Sequence, residues 1–254
     1  MAHHHHIAII GLGNVGWNLA SRLHACGYSI KQVLTRHADA DAGFLEQIGA
    51  ETIKSVDELK DSIDLIFLCT PDDVLVEIAE GIDHHAILVH CSGSMPLLRQ
   101  EHCGVLYAFQ TFTKGIPVQW EGIPIFIEST DASVLEQLGE MAEALSGNVR
   151  TVDATQRKHI HISGVFGANF VNHILHEAKR VLDRSSLPFD VLEPLLHEVV
   201  RKAFEYGPKD AQTGPARRGD QRLIQKHLAD LENDPNLHDL YKALSERITS
   251  TYGK

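Results

Sequence analysis

The chain has 254 residues, of which 43% are hydrophobic and 22% are charged, and its formal net charge is −11 at pH 7. These values are typical of a globular protein with one large domain or two modest ones, and the negative charge argues against a nucleic-acid or anionic-membrane binder. No apolar run reaches the roughly 20 residues that a membrane span requires, and we expect no signal peptide. The four cysteines form no C-x-x-C pair and no zinc pattern, so we expect reduced thiols in a cytoplasmic protein and no metal site.

The N-terminus combines a short apolar strand with a glycine-rich loop. Residues 1–6, which include four consecutive histidines, resemble an expression tag and are left out of the fold prediction. The apolar run 7–10 predicts the first strand, and an amphipathic helix follows it. Between them stands the G-x-G-x-x-G sequence Gly11-Leu12-Gly13-Asn14-Val15-Gly16.

This loop lies in the context of a dinucleotide-binding signature, with a strand before it, a helix after it and a second predicted strand over 29–35. Gly11 permits a tight turn, Gly13 lets the backbone approach a pyrophosphate, and Gly16 lets the helix pack closely on the strand. The helix N-terminus offers unpaired N–H groups and a positive dipole end to the phosphates. We therefore predict that residues 11–16 bind a dinucleotide.

The residues after the second strand indicate which dinucleotide binds. NAD-selective sites usually carry an acidic residue there, which accepts a hydrogen bond from the ribose 2′-OH. This chain has Thr35, Arg36 and His37 and no acid before Asp39. Arg36 can pair with a 2′-phosphate, and Thr35 can add a hydroxyl. We predict NADP(H) as the cofactor, with NADPH bound at least about tenfold tighter than NADH; the alternative is that Arg36 is an ordinary surface arginine.

Further apolar runs predict the rest of a sheet, with helices between the strands. The predicted strands span 64–69, 86–91, 105–109, 123–127 and 149–152, and a helix spans 131–146. Near-continuous apolar strands that alternate with helices are typical of a parallel sheet covered on both faces. For residues 7–152 we predict an α/β fold, a doubly wound, mainly parallel Rossmann sheet.

Two of the strand ends carry polar residues that we expect in the cofactor cleft, because ligands of open parallel sheets bind outside the carboxyl ends of the strands. Cys69, Thr70 and Pro71 follow the third strand, and Asp72 is placed to cap the next helix. After the fourth strand, Ser92 offers a hydroxyl to the nicotinamide end. A simple turn followed by a helix cap is the alternative interpretation of that segment.

Strand signals stop after about residue 152, and helical patterns follow to the C-terminus. We predict one helix over 154–185, another through residue 206, and two more after a polar loop at 207–219. An all-helical domain is therefore placed at 153–254. Its many leucines and valines exceed what so small a domain usually buries, which favours a homodimer through this domain; the alternative is an ordinary core within one chain.

The first helix of this domain supplies the candidate catalytic residues. His161 and Asn169 recur at multiples of four along one face, and Asn172 follows on the same side. We predict His161 as the general acid/base, because imidazole titrates nearest neutral pH, and Asn169 as the amide that orients a small-molecule substrate, with Asn172 beside it. His90 is the alternative proton donor, and a helix–helix hydrogen-bond network without chemistry is the alternative to both. Arg218 is a candidate partner for a substrate carboxylate, or else a solvated surface arginine.

Several longer motifs carry a resemblance to a known family. They are His90-Cys91-Ser92-Gly93-Ser94, Phe109-Gln110-Thr111-Phe112, Gln156-Arg157 with His161 and Asn169-Phe170, and Thr213-Gly214-Pro215-Ala216-Arg217-Arg218-Gly219-Asp220. Together with the glycine loop they resemble a family of Rossmann proteins with a C-terminal domain of unknown function. That family lies in the superfamily of pyrroline-5-carboxylate reductase, ketopantoate reductase and the β-hydroxyacid dehydrogenases. The resemblance covers nearly the whole chain, with Ala108 as a departure where proline is expected.

The resemblance implies NADP use, a fold of the 6-phosphogluconate-dehydrogenase type and a dimer with interlocked helical domains, but it implies no substrate. The lysine that stands four residues before an asparagine in the β-hydroxyacid dehydrogenases is not reproduced, since Val165 occupies that position before Asn169. Labels in this superfamily also mention a deazaflavin coenzyme, which nothing in the sequence favours over NADPH.

These observations favour an NADP-dependent oxidoreductase that acts on a small carbonyl, imine or hydroxy acid. The alternative is a regulatory or scaffold protein that binds NADP without turnover. The surface that the helical domain presents to the nicotinamide distinguishes these two functions. A polar pocket with a proton donor supports an enzyme, and a closed apolar contact supports a binding module.

Overall fold

The computed structural model describes residues 5–252. Its single sheet has eight strands: β1 (His6–Ile10), β2 (Ser29–Leu34), β3 (Glu51–Ile53), β4 (Leu65–Leu68), β5 (Ile87–His90), β6 (Cys103–Ala108), β7 (Ile125–Glu128) and β8 (Val149–Thr151). The order is β3-β2-β1-β4-β5-β6-β7-β8, and all neighbours are parallel except β6 and β7. The predicted mainly parallel Rossmann sheet is confirmed. The three-residue strand β3 was not predicted from the sequence.

Helices follow the strands and then continue alone to the C-terminus. They are α1 (Asn14–Ala25), α2 (Ala38–Ile48), α3 (Asp72–Glu80), α4 (Ala132–Ser146), α5 (Ala154–Gly164), α6 (Val171–Leu182), α7 (Glu193–Tyr206), α8 (Pro208–Ala211), α9 (Pro215–Arg218), α10 (Gln221–Asp230) and α11 (Pro235–Tyr252). A π-helical segment, Val165–Phe170, separates α5 from α6, and short 3-10 turns occupy Val56–Glu58, Asp183–Ser185 and Phe189–Leu192.

The sheet is buried on both faces, as near-continuous apolar strands require. Ile7, Ile9 and Phe67 belong to one core cluster, whereas Ala8 and Ile10, the alternate residues of β1, belong to a second. Because successive side chains of a strand point to opposite faces, these two clusters lie on the two sides of the sheet. The strand order reverses at β1, with β2 on one side and β4 on the other, which is where such sheets open a ligand crevice.

The chain divides into two compact units, and the division follows Asn169. The helix α5 therefore packs with the sheet, whereas the predicted boundary stands earlier, after residue 152, where strand signals stop. The second unit is helical, with a small core around Ala216, Ile224 and Leu228. Within the described residues, no helix is long and apolar enough to cross a membrane.

Local details of the prediction differ from the structure in five places, and one is that the predicted polar loop at 207–219 contains the short helices α8 and α9. The helix predicted over 154–185 contains the π-helical segment, and the helix predicted through residue 206 begins with a 3-10 turn. The prediction that Asp72 caps α3 is wrong, because its carboxylate accepts a hydrogen bond from Ser94 Oγ instead. The strand β1 begins at His6, inside the segment that resembles a tag; residues 1–4 of that segment lie outside the described residues.

Candidate functional site

A cleft of about 710 Å³ lies at the carboxyl ends of the central strands, within the first compact unit. We call it the sheet-end cleft; it is lined by the turns after β1, β4, β5 and β6 and by the end of α5 with the π-helical segment. Seven of the predicted site residues line it: Asn14, Val15, Cys69, Thr70, Ser92, His161 and Asn169. The fold thus brings together, in one cleft, predicted site residues that are up to 155 positions apart in the sequence.

The glycine loop has the geometry that its spacing predicted. Gly11 has a φ of +96°, and a Cβ there would lie 2.7 Å from the Cys69 carbonyl oxygen; a Cβ at Gly16 would lie 2.0 Å from the Gly11 carbonyl oxygen. A Cβ at Gly13 would have nothing within 4 Å, so Gly13 borders open space. Gly11 and Gly16 are therefore required by the packing of the backbone, because a side chain at either position would clash with it. The absence of a side chain at Gly13 instead leaves room for a ligand. Leu12, between them, is buried in the core.

Two further features near the glycine loop suit an anionic ligand that also accepts or donates hydrogen bonds. No side chain within the described residues caps the N-terminus of α1, and its first turn carries no acidic residue. The Thr70 hydroxyl oxygen is buried beside the cleft and has no hydrogen-bond partner in the described part of the chain. A buried unsatisfied hydroxyl is costly, and a bound ligand would satisfy it. Pro71, the next residue, precedes α3 directly.

The residues after β2 lie next to the glycine loop, because the Gly11 N–H donates to the Leu34 carbonyl oxygen at 2.9 Å. Arg36 is exposed there, as a partner for a 2′-phosphate has to be. The Thr35 hydroxyl is engaged, since Oγ1 donates to Asp41 Oδ2 at 3.0 Å.

Elsewhere in the lining of the cleft, His161 pairs with a residue that sequence analysis missed. The Tyr107 hydroxyl and His161 Nδ1 lie 3.0 Å apart. Burial raises the pKa of Tyr107 to about 12, although the nearby Arg157 charge works in the opposite direction. Tyr107 therefore remains protonated near neutral pH. Its position inside a predicted strand made it look like a core residue, and nothing in its spacing marked it.

Small residues make the Tyr107–His161 contact possible. A Cβ at Gly93 would lie 2.6 Å from His161 Nδ1 and 2.8 Å from Tyr107 Cζ. A Cβ at Gly164 would lie 2.5 Å from the Phe109 ring. The glycine of the Ser92-Gly93-Ser94 turn thus serves the packing of the imidazole as well as the turn.

The π-helical segment carries Asn169 to the sheet-end cleft. Val165, Gly167 and Ala168 also line the cleft, and the Asn169 side chain is exposed. π-helical turns are rare and occur mostly at functional sites. The four-residue spacing that singled out His161 and Asn169 does select two cleft residues, although the helix between them is not a regular α-helix.

His90 does not line the sheet-end cleft. Its side chain is fully buried, Nδ1 accepts from the Ser92 N–H at 3.2 Å, and Nε2 lies 3.1 Å from the Pro96 carbonyl oxygen, to which it must donate. Burial, and then the positive charge of Arg157, lower the pKa of His90 to about 4. The geometry does not favour His90 as a proton donor to a substrate; it makes His90 a support for the turn that carries Ser92.

The Ser92 turn is also held from within and from the neighbouring strand end. Ser92 Oγ accepts from the backbone N–H groups of Ser94 at 3.1 Å and Met95 at 3.0 Å. The Asp72 carboxylate, after β4, accepts from Ser94 Oγ. The segment is therefore a tight turn whose side chains also line the cleft. The helix cap of the alternative interpretation is not found, because the described residues between β5 and β6 contain no helix.

A buried arginine fixes α5 against the sheet. Arg157 is 1% exposed, and its guanidinium donates to the Glu128 carboxylate on β7 and to the Met95 carbonyl oxygen. Burial lowers the pKa of Arg157. A capping box between Asp153 and Gln156 starts the helix one turn earlier. Because His161 follows Arg157 by four residues, this anchor sets the position of the imidazole.

The two other predicted substrate residues belong to the second unit. Asn172 and Arg218 are both exposed there. Asp220, the last residue of the Thr213–Asp220 motif, caps α10, because its Oδ1 accepts from the Leu223 N–H at 3.1 Å. The preceding Arg217 donates to the Tyr252 carbonyl oxygen and lies over the Tyr252 ring.

Comparisons with known proteins agree with this architecture. A family model described as an NADP oxidoreductase, coenzyme F420-dependent, matches residues 6–93, and one described as a domain of unknown function (DUF2520) matches residues 123–248. The crystal structure of a provisionally assigned NADP oxidoreductase from Bacteroides fragilis is 37% identical in sequence, with 97% of this chain and 98% of that chain covered and a TM-score of 0.89. The chain belongs to this family of NADP oxidoreductases. The resemblance inferred from the sequence motifs is thereby confirmed.

More distant structures share the fold of the family. A Thermotoga maritima protein is 20% identical over 96% of this chain and 97% of that chain, with a TM-score of 0.69. An imine reductase from Myxococcus stipitatus in complex with NADP+ is 18% identical over 98% of this chain and 96% of that chain, with a TM-score of 0.65. No curated protein matches the chain.

Proposed function

We propose that this member of the family is an NADP-dependent oxidoreductase that reduces a small carbonyl or imine compound in the sheet-end cleft. The single observation that carries the proposal is that one cleft joins a glycine loop open at Gly13 to a His161–Tyr107 pair. A polar pocket with a proton donor is what distinguishes an enzyme from a protein that only binds the dinucleotide. Family membership supports the predicted cofactor, NADP(H).

The residues present fit this cofactor. The first turn of α1 and Gly13 would receive the pyrophosphate, and Thr35 and Arg36 would receive the adenosine ribose with its 2′-phosphate. The Thr70 and Ser92 hydroxyls, which line the cleft, would contact the remainder of the cofactor. When bound, NADPH supplies a hydride. The protein must then supply a proton to the oxygen or nitrogen of the substrate.

His161 is the group that we assign to this proton transfer. A protonated imidazole donates through Nδ1 to the Tyr107 oxygen, and a neutral imidazole accepts from the Tyr107 hydroxyl at the same atom. The Tyr107 contact is therefore kept before and after the transfer, while Nε2 is the nitrogen that gives up the proton. Asn169 is proposed to orient the substrate through its amide.

The charges of the cleft favour a substrate without a carboxylate. Among the described residues that line it, none is lysine or arginine, and Asp72 contributes a negative charge. A hydroxy acid would need a cation from elsewhere, for which Arg218 stays the candidate. We therefore favour a neutral carbonyl or a neutral imine, whose oxygen or nitrogen takes the proton from His161, because a carboxylate in a cleft without a cation loses its hydration uncompensated.

The test is turnover with a matched pair of histidine variants. NADPH oxidation is screened with ketones, aldehydes and cyclic imines, including 1-pyrroline and its carboxylated counterpart. For a substrate found in this way, we expect His161→Ala to lower kcat by about 100-fold or more with an unchanged NADPH Kd. His159→Ala, an exposed position on the same helix outside the cleft lining, should leave both unchanged. Loss of NADPH binding in His161→Ala would instead make His161 a cofactor ligand or a structural residue.

We also propose that the protein is a homodimer through its helical unit. Among the described residues, neither α6 nor α7 has a single buried side chain. Leu195, Val199 and Phe204 of α7 are exposed, the last by 90%. A helix with this much exposed apolar surface needs a partner surface, and a second copy of the same unit is the simplest one.

The cytoplasm remains the predicted location, and the four cysteines are all free, as reduced thiols would be.

A further inference from the structure

An acidic side chain reaches the end of β2, although the sequence places no acid in that position. Asp41 lies in the first turn of α2 and is only 4% exposed. Its Oδ2 accepts from Thr35 Oγ1 at 3.0 Å, and Thr35 is the first residue after β2. The carboxylate therefore stands beside the place where an NAD-selective site holds its acid toward the ribose 2′-OH.

The charge of this carboxylate is balanced by a residue from a distant loop. Lys114 Nζ lies 2.6 Å from Asp41 Oδ1, and the Lys114 side chain is 33% exposed. The backbone holds the lysine in place, because the Lys114 N–H donates to Asn14 Oδ1 at 3.0 Å and Asn18 Nδ2 donates to the Thr113 carbonyl oxygen at 3.0 Å. The loop after β6 is thus fixed on the first turns of α1, next to the glycine loop.

We infer that Lys114 determines the choice of NADP over NAD by neutralising Asp41. This inference rests on the proposed function, since it concerns the same cofactor. Paired with Lys114, the Asp41 carboxylate neither repels a 2′-phosphate nor remains free to accept from a 2′-OH. Without Lys114, a nearly buried negative charge beside Thr35 would oppose the phosphate, because like charges interact strongly where water is excluded.

Four variants separate this role from a structural one. Lys114→Met removes the ammonium, Lys114→Arg keeps a positive charge, and Asp41→Asn with Lys114→Met removes both charges. Lys60→Met is the matched control, because Lys60 pairs with Glu51 at an exposed site at the amino ends of the strands, remote from the cleft lining. The dissociation constants of NADPH and NADH are measured by nucleotide fluorescence, and thermal unfolding shows that each variant is folded.

We expect Lys114→Met to lower the ratio of the NADH Kd to the NADPH Kd by about tenfold or more. Lys114→Arg and Lys60→Met should keep the wild-type ratio, and the double variant should restore it to within about threefold. An equal change of both constants in Lys114→Met would show that the lysine only holds the loop. A double variant as unselective as Lys114→Met would show that Lys114 acts on the nucleotide directly; either result overturns the inference.

The failure of the proposed function would look different. Wild-type protein that binds neither nucleotide would remove the cofactor assignment and this inference together. Should Lys114→Met alone fail to fold, because Asp41 is left as an uncompensated buried charge, the double variant and Lys114→Arg still decide. A ratio that drops in Lys114→Arg as well would contradict a role for the charge.

Discussion

At the scale of single residues, the site depends on one hydrogen bond between a histidine and a tyrosine. Tyr107 fixes the orientation of His161 through Nδ1, 3.0 Å away, and Gly93 leaves the space for both rings. A ring that is held in one orientation presents its other nitrogen to the substrate in a constant position. The histidine therefore needs the tyrosine for positioning, although the tyrosine gives no proton to the substrate.

Tyr107→Phe should weaken catalysis while the fold and cofactor binding persist. The phenylalanine keeps the ring contacts with Phe109 and Phe126 but removes the hydroxyl that His161 needs. We expect kcat to fall by about tenfold with little change in the NADPH Kd, because only the orientation of the acid is lost. Steady-state kinetics and fluorescence titration measure the two effects. An unchanged kcat would mean that His161 is held by other contacts.

His90 makes the stability of the protein depend on pH. The folded state lowers its pKa to about 4, whereas an unfolded chain has a histidine pKa near 6.5, so the unfolded state binds more protons between these values. The contribution of His90 to the free energy of unfolding is therefore fully present above about pH 6.5. It is lost as the pH drops toward 4, which lowers the free energy of unfolding by up to about 3 kcal/mol. Urea unfolding at several pH values measures this slope. His90→Gln should flatten it, and a variant with the wild-type slope would assign the acid sensitivity to other groups.

At the scale of elements, the strands could be predicted from apolar runs, but two features could not. β3 has only three residues and exists through its pairing with β2, a tertiary contact that local sequence does not encode. The π-helical segment Val165–Phe170 interrupts a pattern that also fits an α-helix, because one extra residue per turn leaves no signature in hydrophobic spacing. The glycine loop was predictable because each glycine meets a separate steric requirement: a tight turn at Gly11, space for a ligand at Gly13 and close helix packing at Gly16.

The Gly13 position offers a direct test of that loop. Gly13→Ala places a methyl group in open space, so we expect an unchanged melting temperature but an NADPH Kd raised about tenfold, because the methyl group occupies the space left for the phosphates. Gly43→Ala in α2 is the matched control, since a Cβ there also meets nothing within 4 Å. It should leave the NADPH Kd unchanged and stabilise the helix slightly. Equal NADPH affinities of wild type and Gly13→Ala would contradict the phosphate assignment.

At the scale of the whole molecule, the sequence predicted an excess of apolar residues in the helical part, and α6 and α7 bury none of them fully. The sequence could not reveal that α5 belongs with the sheet, because the anchor is a buried contact of Arg157 with Glu128 and Met95. A hydrophobic pattern records which faces are apolar. It does not record which neighbour covers them.

A single charge on α7 should break the proposed dimer. Phe204→Glu introduces a carboxylate into the exposed apolar face, and we expect a monomer at micromolar concentration by light scattering, because a buried unpaired charge is costly at an interface. Arg201→Glu, on the charged side of the same helix with Glu198 and Glu205, is the control and should remain dimeric. A wild-type protein that is monomeric under these conditions would contradict the dimer.

The central claim is that the protein moves a hydride from NADPH to a carbonyl or imine carbon in the sheet-end cleft. The most direct measurement is mass spectrometry of the product formed with NADPH that carries deuterium at the transferred position. The account predicts a product one mass unit heavier with the wild-type protein and a yield reduced about 100-fold with His161→Ala. NADPH that binds tightly but transfers no deuterium to any carbonyl or imine in the panel would contradict the account and favour a protein that only binds the dinucleotide.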